Sequence, residues 1–113
     1  PFDEGTLTGT FTKETTSTKN DCRVSYFVSE NLNSSVEHAD ALRPLIPAGM
    51  TMAELAIRFI LSNPDVATTI PGMRKIRNVQ ANLACSDGKS LSESLLADLK
   101  EHRWDRSPTA WSQ

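Results

Sequence analysis

The chain has 113 residues, 38% of them apolar, and a formal net charge of −2. This length suits one domain or part of one. The charge excludes a general electrostatic attraction to nucleic acid or to anionic membranes. The low apolar fraction predicts a small hydrophobic core. No apolar run is long enough to span a bilayer, and no secretory signal opens the sequence.

The two cysteines, Cys22 and Cys85, are far apart, and neither belongs to a C-x-x-C pair or a cysteine and histidine cluster. This arrangement predicts free thiols in a reducing compartment, hence a cytoplasmic protein, and no metal site. The sequence begins with Pro1 rather than Met. We interpret this start as a fragment, a processed product or an incomplete gene, and deliberate trimming would explain it equally well.

The first part of the chain, residues 1–33, is polar and irregular. Thr, Ser, Asn, Asp and Lys dominate residues 6–21, a composition typical of a long loop. Residues 24–28 alternate briefly between apolar and polar side chains, as a short strand would. Phe27 interrupts the alternation, so a loop is the alternative.

Two capping boxes, in which a hydroxyl and a glutamate satisfy exposed backbone donors reciprocally, predict the starts of the next two helices. The first box, residues 34–37, opens a helix that ends before Pro44. The second box, residues 51–54, opens a helix over 51–62 that we expect to be buried on most sides. The apolar residues that recur on one face of this second helix are Met52, Leu55, Ala56, Phe59 and Ile60.

A strand and two more helices are predicted in the second half. Residues 66–70 are short, rich in β-branched side chains and without polar alternation, which is typical of a strand buried in a parallel sheet. A third helix covers about 75–84, and a fourth starts at Ser90 or Ser92 and runs to about Arg103. The residues expected to face inward from these two helices are Ile76, Val79, Leu83, Leu95, Leu96 and Leu99.

This order of elements predicts an α/β structure that is incomplete by itself. A buried parallel strand needs neighbours on both sides, and the chain offers at most Pro1-Phe2 and the doubtful 24–28 segment. The sequence is therefore interpreted as part of a larger α/β structure.

A Pro-Gly turn ending in Gly72 is followed by three cations, Arg74, Lys75 and Arg77, at the start of the third helix. Cations are unfavourable there, by roughly 0.3–1 kcal/mol each when exposed, because a helix N-terminus is already positive. A bound anion reverses that sign, Arg can clamp a phosphate bidentately, and glycine lets the backbone approach closely. A phosphate site over residues 69–83 and a solvated basic turn explain the pattern equally well.

A second glycine-containing stretch, residues 1–9, has Gly5 and Gly9 interleaved with threonines. Such a segment can curl round a pyrophosphate and offer it N–H groups and hydroxyls. It lacks the lysine of a Walker motif, and a plain polar loop is the alternative.

Together these stretches resemble the aldo-keto reductases. Residues 1–9 resemble the loop after that family's seventh strand, which often reads P-L-x-x-G-x-L-T-G. Residues 70–83 resemble its I-P-G-x-R-x-x-x-Q-x-x-x-N-L signature after the eighth strand, with Asn78 where the family more often has Gln. The resemblance covers essentially the whole chain. It implies the C-terminal portion of a (β/α)8 TIM barrel, an α/β fold that is here mostly helical with one or two short parallel-type strands. Residues 1–33 would form the cofactor loop and an irregular region, and 34–113 the last helices, the eighth strand and a C-terminal tail.

The resemblance also implies that the chain binds NADP(H) through residues of both motifs. These cofactor-binding residues are Phe2, Gly5, Thr6, Leu7, Gly72, Met73, Arg74, Asn78 and Asn82. The glycine, threonine and leucine of the first motif would line the pyrophosphate. The Gly-Met-Arg run of the second would hold the 2′-phosphate, with Arg74 as the main cation, and the two asparagines would face the adenine.

No catalytic residue is predicted. The family's Asp, Tyr, Lys and His come from earlier strands, and the D-x-x-x-x-Y segment is absent here. Tyr26 is the only tyrosine and has no matching neighbours. We interpret His38 and His102 as solvated surface residues, and Trp104 and Trp111 as packing residues in an ordered tail.

Two functions are compatible with these features. In the first, the chain is the NADP(H)-binding portion of an aldo-keto reductase, which transfers hydride between nicotinamide and a carbonyl, and is inactive without an N-terminal barrel portion. In the second, it is a non-catalytic truncated or domain-swapped helical module with at most nucleotide or anion binding. There the unpaired 66–70 strand would pair with another copy of the chain.

Overall fold

A computed structural model describes residues 1–16, 21, 23 and 29–105. Within these ranges the chain is mostly helical and contains no β-strand. The four α-helices are α1 (Ser29–Ala41), α2 (Met52–Leu61), α3 (Ile76–Ala84) and α4 (Glu93–Glu101). Two 3₁₀ segments, Asp3–Thr8 and Arg43–Leu45, precede α1 and α2 respectively.

Helix α1 begins at Ser29, so the predicted start at the Ser34 capping box is wrong. Ser34 lies inside the helix, where its carbonyl oxygen is 2.8 Å from Nδ1 of His38. The helix extends further upstream because one face is buried from Leu32 to Ala39, and packing of that face outweighs the local cap. The buried residues are Leu32, Ser35, Val36 and Ala39.

Helix α2 starts where the second capping box predicts. The Thr51 hydroxyl accepts the Glu54 N–H at 3.1 Å, which confirms the cap. The Glu54 carboxylate does not return to Thr51 but accepts from Arg58 Nε at 2.9 Å. The expected burial on most sides is confirmed, since the residues of α2 are buried or half-buried with the exception of Phe59, which is 42% exposed. The buried residues of α2 are Met52, Leu55, Ile57 and Arg58.

The strand predicted over 66–70 is not formed. A strand requires a backbone partner, and no described segment pairs with these residues; the Val66 N–H donates instead to the Asn63 carbonyl in a local turn at 3.1 Å. Ile70 is 86% exposed rather than buried. Pro1-Phe2 is likewise not a strand, and the doubtful 24–28 segment lies outside the described residues.

Helices α3 and α4 lie where the sequence predicts them, and the Ser92 hydroxyl caps α4 by accepting the Leu95 N–H at 3.3 Å. The inward face predicted for α3 is wrong, because Ile76 is 79% exposed and Leu83 is 62% exposed. In α3 it is Asn82 that is buried. The three leucines predicted to face inward from α4 are half-buried.

A buried guanidinium connects α2 to the loop before α4. Arg58 Nη1 and Nη2 donate to the Asp87 carboxylate at 2.7 and 3.0 Å, and Nη1 also donates to the Lys89 carbonyl at 3.1 Å. Hydrogen bonds from Arg58 hold the pKa of Asp87 well below its usual range. The Ser62 hydroxyl adds a second link by accepting the Leu91 N–H at 2.9 Å.

The last described residues pack against α1. The rings of His38 and Trp104 stack with centroids 4.5 Å apart and an interplanar angle of 17°. This confirms the packing role predicted for Trp104 and corrects the interpretation of His38 as a solvated residue. The remainder of the tail, including Trp111, lies outside the described residues.

Candidate cofactor site

The start of α3 carries positive charge that no ion pair among the described residues neutralises. Its N-cap residue, Lys75, makes no side-chain capping bond, and the first turn contains no acidic residue. Arg74, Lys75 and Arg77 are exposed, and none of them forms an ion pair with a carboxylate of the described residues. The helix dipole and three cations therefore converge on one exposed turn, where an anion would be stabilised.

Gly72, which lies just before these cations, borders open space. A Cβ atom built on it would meet no heavy atom within 4 Å, and its backbone does not adopt a positive φ. The fold therefore does not require a glycine at this position. The space above it is available to a ligand that approaches the backbone closely.

The other predicted residues of this motif differ in their exposure to solvent. Met73 is 43% exposed, and Asn78 is exposed on α3. Asn82 is only 9% exposed, and its Nδ2 donates to the Gly72 carbonyl at 3.4 Å. The Asn82 side chain thus contacts the turn itself.

The first motif folds into the 3₁₀ segment Asp3–Thr8, which is kinked at Glu4 and Gly5. The Phe2 carbonyl accepts both the Gly5 and the Leu7 N–H at 3.0 Å. Thr6 is buried, and its hydroxyl lies 2.6 Å from the Asp3 carboxylate and 2.9 Å from the Asp3 carbonyl. In this conformation the Thr6 side chain stabilises the segment internally.

Asp21 and Arg23 lie beside this first motif. Arg23 donates to Asp21 Oδ1 from both Nε (2.8 Å) and the backbone N–H (3.0 Å). These bonds are the main reason that the pKa of Asp21 is lowered to about 2, and the charge of Arg74 makes a small contribution to the same shift. Asp21 is therefore within electrostatic reach of Arg74 in the second motif, while Arg23 lies against Gly5 in the first.

Sequence reasoning missed Arg23 and the buried Arg58. The i, i+4 spacing of Glu54 and Arg58 on an otherwise apolar helix was a usable signal for the second. Arg23 stands in a polar stretch with no distinguishing pattern, and only the fold brings it to Gly5.

An apolar groove of about 990 Å³ borders the N-terminal segment, and Leu7 of the first motif is among its lining residues. The α2 face predicted from sequence also lines it, as do His102 and Trp104. Its lining residues include Leu7, Leu42, Met52, Leu55, Ala56, Phe59, Ile60 and Leu99.

The described ranges contain no cluster of three or more His, Cys, Asp or Glu side chains that could hold a metal ion. Among the same residues no helix is long and apolar enough to cross a membrane. Cys85, a buried free thiol, has its pKa raised by burial.

A comparison with protein families assigns the chain. The model of the Aldo/keto reductase family matches residues 1–103, so the chain belongs to this family. No curated protein and no solved structure matches it. Family membership supports an oxidoreductase-type function, and the family generally uses NAD(P)H. The family's fold is a TIM barrel, whereas the described residues alone form helices without strands.

Proposed function

We propose that this chain binds the adenine and phosphate end of NADP(H) for an aldo-keto reductase that transfers hydride between nicotinamide and a carbonyl compound. Gly72, Met73 and Arg74 bind the 2′-phosphate. Phe2, Gly5, Thr6 and Leu7 lie along the pyrophosphate. Asn78 contacts the adenine from the exposed side of α3.

The observation that carries this proposal is the exposed positive charge at the start of α3, which forms no ion pair with a carboxylate of the described residues. Arg74 and its two cationic neighbours surround a helix terminus with no side-chain cap. A helix gains stability from a negative group at this position and loses it from a positive one. A phosphate bound above Gly72 would satisfy the terminal N–H groups and the arginine fork together.

The predicted binding residues differ in how accessible they are to NADP(H). Gly72 offers an open approach, and Arg74 is exposed. Thr6 and Asn82 are buried and bonded within the protein, so their part is to shape the two backbone segments that face the cofactor. The cofactor, when bound, supplies the hydride, and the residues of this chain position it and neutralise its phosphates.

The chain by itself is proposed to be catalytically inactive. The family's catalytic Asp, Tyr, Lys and His come from strands before the seventh, and the first motif of this chain resembles the loop after the seventh. Of the two histidines, His38 stacks on Trp104 and His102 lines the apolar groove. We expect no NADPH-dependent carbonyl reduction by the 113-residue chain. Turnover with any carbonyl substrate would show that the catalytic groups have been assigned wrongly.

The binding proposal is tested by replacing Arg74 and titrating two cofactors. Arg74→Ala should weaken NADP(H) binding by roughly 1.5–3 kcal/mol, the range for hydrogen bonds to a charged group. NAD(H), which lacks the 2′-phosphate, should lose much less. Arg103→Ala removes the same charge from an exposed side chain of the C-terminal segment and serves as the control. Equal losses for both cofactors would refute the 2′-phosphate assignment.

A second candidate function is self-association as a non-catalytic module. It is favoured by the exposure of large apolar side chains, which are Ile70 in the unpaired 66–70 segment and Ile76 and Leu83 in α3. Sedimentation velocity distinguishes the two cases. A well-folded monomer over a wide concentration range would exclude a domain-swapped assembly.

A further inference from the structure

The turn that leads into α3 is held by very few hydrogen bonds. Residues 67–74 make no backbone–backbone hydrogen bond within the part of the chain that the structure describes. Their one hydrogen bond there is the 3.4 Å bond in which Asn82 Nδ2 donates to the Gly72 carbonyl. Among the described residues, the path of the chain in front of the three cations therefore depends on one side-chain amide.

Asn82 is suited to this role because its side chain is enclosed. The residue is only 9% exposed, and the other residues of α3, including Asn78 one turn earlier, are exposed or half-buried. Burying an amide to this extent costs stability unless the group is hydrogen-bonded. The bond to the Gly72 carbonyl therefore accounts for an amide at the buried position of this helix.

The same bond decides which backbone groups the turn presents to solvent. The carbonyl oxygen and the N–H of a planar trans peptide point in opposite directions. Because the Gly72 carbonyl faces Asn82, the Met73 N–H of the same peptide points away from it. Within the described ranges the N–H groups of Met73, Arg74 and Lys75 have no acceptor. Three consecutive donors and the cations thus belong to one exposed turn, where a phosphate can accept from both.

We propose that Asn82 is a positioning residue of the 2′-phosphate site. By holding the Gly72 carbonyl it directs the Met73 N–H outward, so that backbone N–H groups and the Arg74 guanidinium bind the same phosphate. This inference rests on the proposed NADP(H) function and gives the two asparagines of α3 different roles. Asn78 contacts the adenine, which NAD(H) and NADP(H) share, and Asn82 acts through the turn on the phosphate that only NADP(H) has.

The two roles are separated by titrating three ligands, NADP⁺, NAD⁺ and adenosine 2′-monophosphate, by NMR. Asn82→Leu keeps the approximate size of the side chain and removes its donor. It should weaken NADP⁺ and adenosine 2′-monophosphate about threefold to tenfold, the range for one neutral hydrogen bond, and leave NAD⁺ unchanged. Asn78→Ala should weaken all three ligands by a common factor. Gln80→Ala, which removes an exposed amide from the same helix, is the control.

Two further readouts distinguish positioning from a general loss of structure. The losses of adenosine 2′-monophosphate affinity in Asn82→Leu and Arg74→Ala should be less than additive in the double variant, because both residues act on one phosphate. The backbone amide signals of Met73 and Arg74 should shift when this ligand binds to the wild type, and should shift less in Asn82→Leu. Thermal unfolding of each variant reports its stability separately.

Equal losses of all three ligands in Asn82→Leu would overturn the positioning role, because Asn82 would then contact the adenine or act through the fold. Unchanged Met73 and Arg74 amide signals in the wild type with bound adenosine 2′-monophosphate would also overturn it, and this measurement does not depend on how well a variant folds. In both cases Arg74→Ala still tests the proposed function through NADP⁺ and NAD⁺. If the wild-type chain binds none of the three ligands, the proposed function itself fails, and the positioning role fails with it.

Discussion

Helices α2 and α3 are of similar length but treat their charged residues in opposite ways. In α2 the N-terminus is capped by Thr51, and the single arginine is buried among Glu54 and Asp87. In α3 the N-terminus has no side-chain cap, and its cations have no carboxylate partner among the described residues. The charges of α2 are therefore internal to the fold, and those of α3 face outward.

The apolar residues show the same contrast. The buried face of α2 includes Leu55 and Ile57, whereas Ile76 and Leu83 of α3 are largely exposed. In α2 the cap and the apolar face predicted from sequence have their partners within the described structure. In α3 the cations and the apolar residues have no such partners among the described residues. Helix α2 therefore contributes to the described core, and the ligand proposed for α3 would contact the cations that this helix leaves exposed.

The largest expected effect on stability comes from the buried arginine of α2. Arg58→Ala should lower the free energy of unfolding by about 1.5–3 kcal/mol, because it removes hydrogen bonds between charged groups and detaches the loop before α4. Urea denaturation followed by circular dichroism measures the change. Arg103→Ala is the matched control, because the bond of Arg103 to Asp105 is 3.4 Å long and largely exposed to solvent, and it should not change stability measurably. Equal effects of the two substitutions would show that the buried arginine of α2 stabilises the fold no more than an exposed arginine does.

A smaller effect is expected when the start of α3 is made like that of α2. Lys75 has φ −112° and ψ 140°, close to the −93° and 159° of the capping residue Thr51. Lys75→Ser should therefore cap α3 and raise the free energy of unfolding by about 1 kcal/mol, and Thr51→Ala should lower it by a similar amount. The same Lys75→Ser change should weaken NADP⁺ binding, because it removes a cation from the phosphate site.

A Lys75→Ser variant that gains stability without losing NADP⁺ affinity would indicate that the cations of α3 are a solvated basic turn. Binding is measured by calorimetric titration on the samples used for unfolding, so that both effects refer to the same protein.

The comparison also explains which features the sequence predicts and which it does not. The starts of α2 and α4 depend on a hydroxyl and an N–H three residues away, so the caps at Thr51 and Ser92 are predictable. The start of α1 depends on burial of Leu32 against the rest of the fold, and the local Ser34 signal is overruled. The 66–70 segment has the composition of a strand, but composition cannot supply the neighbouring strands that it needs.

In the candidate site, too, the features that involve neighbouring residues are predictable, and the contacts between distant residues are not. The cations around Arg74 are adjacent in sequence, so their meeting at a helix start is predictable. The contact of Arg23 with Gly5 and the bond from Asn82 to the Gly72 carbonyl join residues that are distant in sequence. Such contacts depend on the tertiary structure, and no spacing rule anticipates them.

The ion pair between α2 and the following loop should make stability depend on pH. The pKa of Asp87 is lower in the folded chain than its ordinary value of 3.8, chiefly because Arg58 donates to the carboxylate. The folded state then binds fewer protons than the unfolded state, so this contribution is fully present above pH 3.8 and is lost as the pH falls toward the folded pKa. Urea midpoints measured downward from pH 6 should fall in this window, and Asp87→Asn should reduce the slope. If the urea midpoint of that variant still depends on pH as in the wild type, other carboxyls, such as Asp21, cause the loss of stability in acid.

The smallest expected change in stability is the most informative about the ligand. Gly72→Ala adds a methyl group where no atom lies within 4 Å and where φ is not positive, so stability should be unchanged or rise by about 0.4–1 kcal/mol. If a phosphate approaches this backbone closely, the same methyl group should reduce NADP⁺ affinity, as calorimetric titration would show. Gly5→Ala provides the contrast, because Gly5 has φ +114° and an added Cβ would lie 2.9 Å from the Phe11 ring; it should destabilise the chain whether or not a cofactor binds. Undiminished NADP⁺ affinity in Gly72→Ala would place the phosphate away from this turn, and the positive charge of α3 would then require another anion.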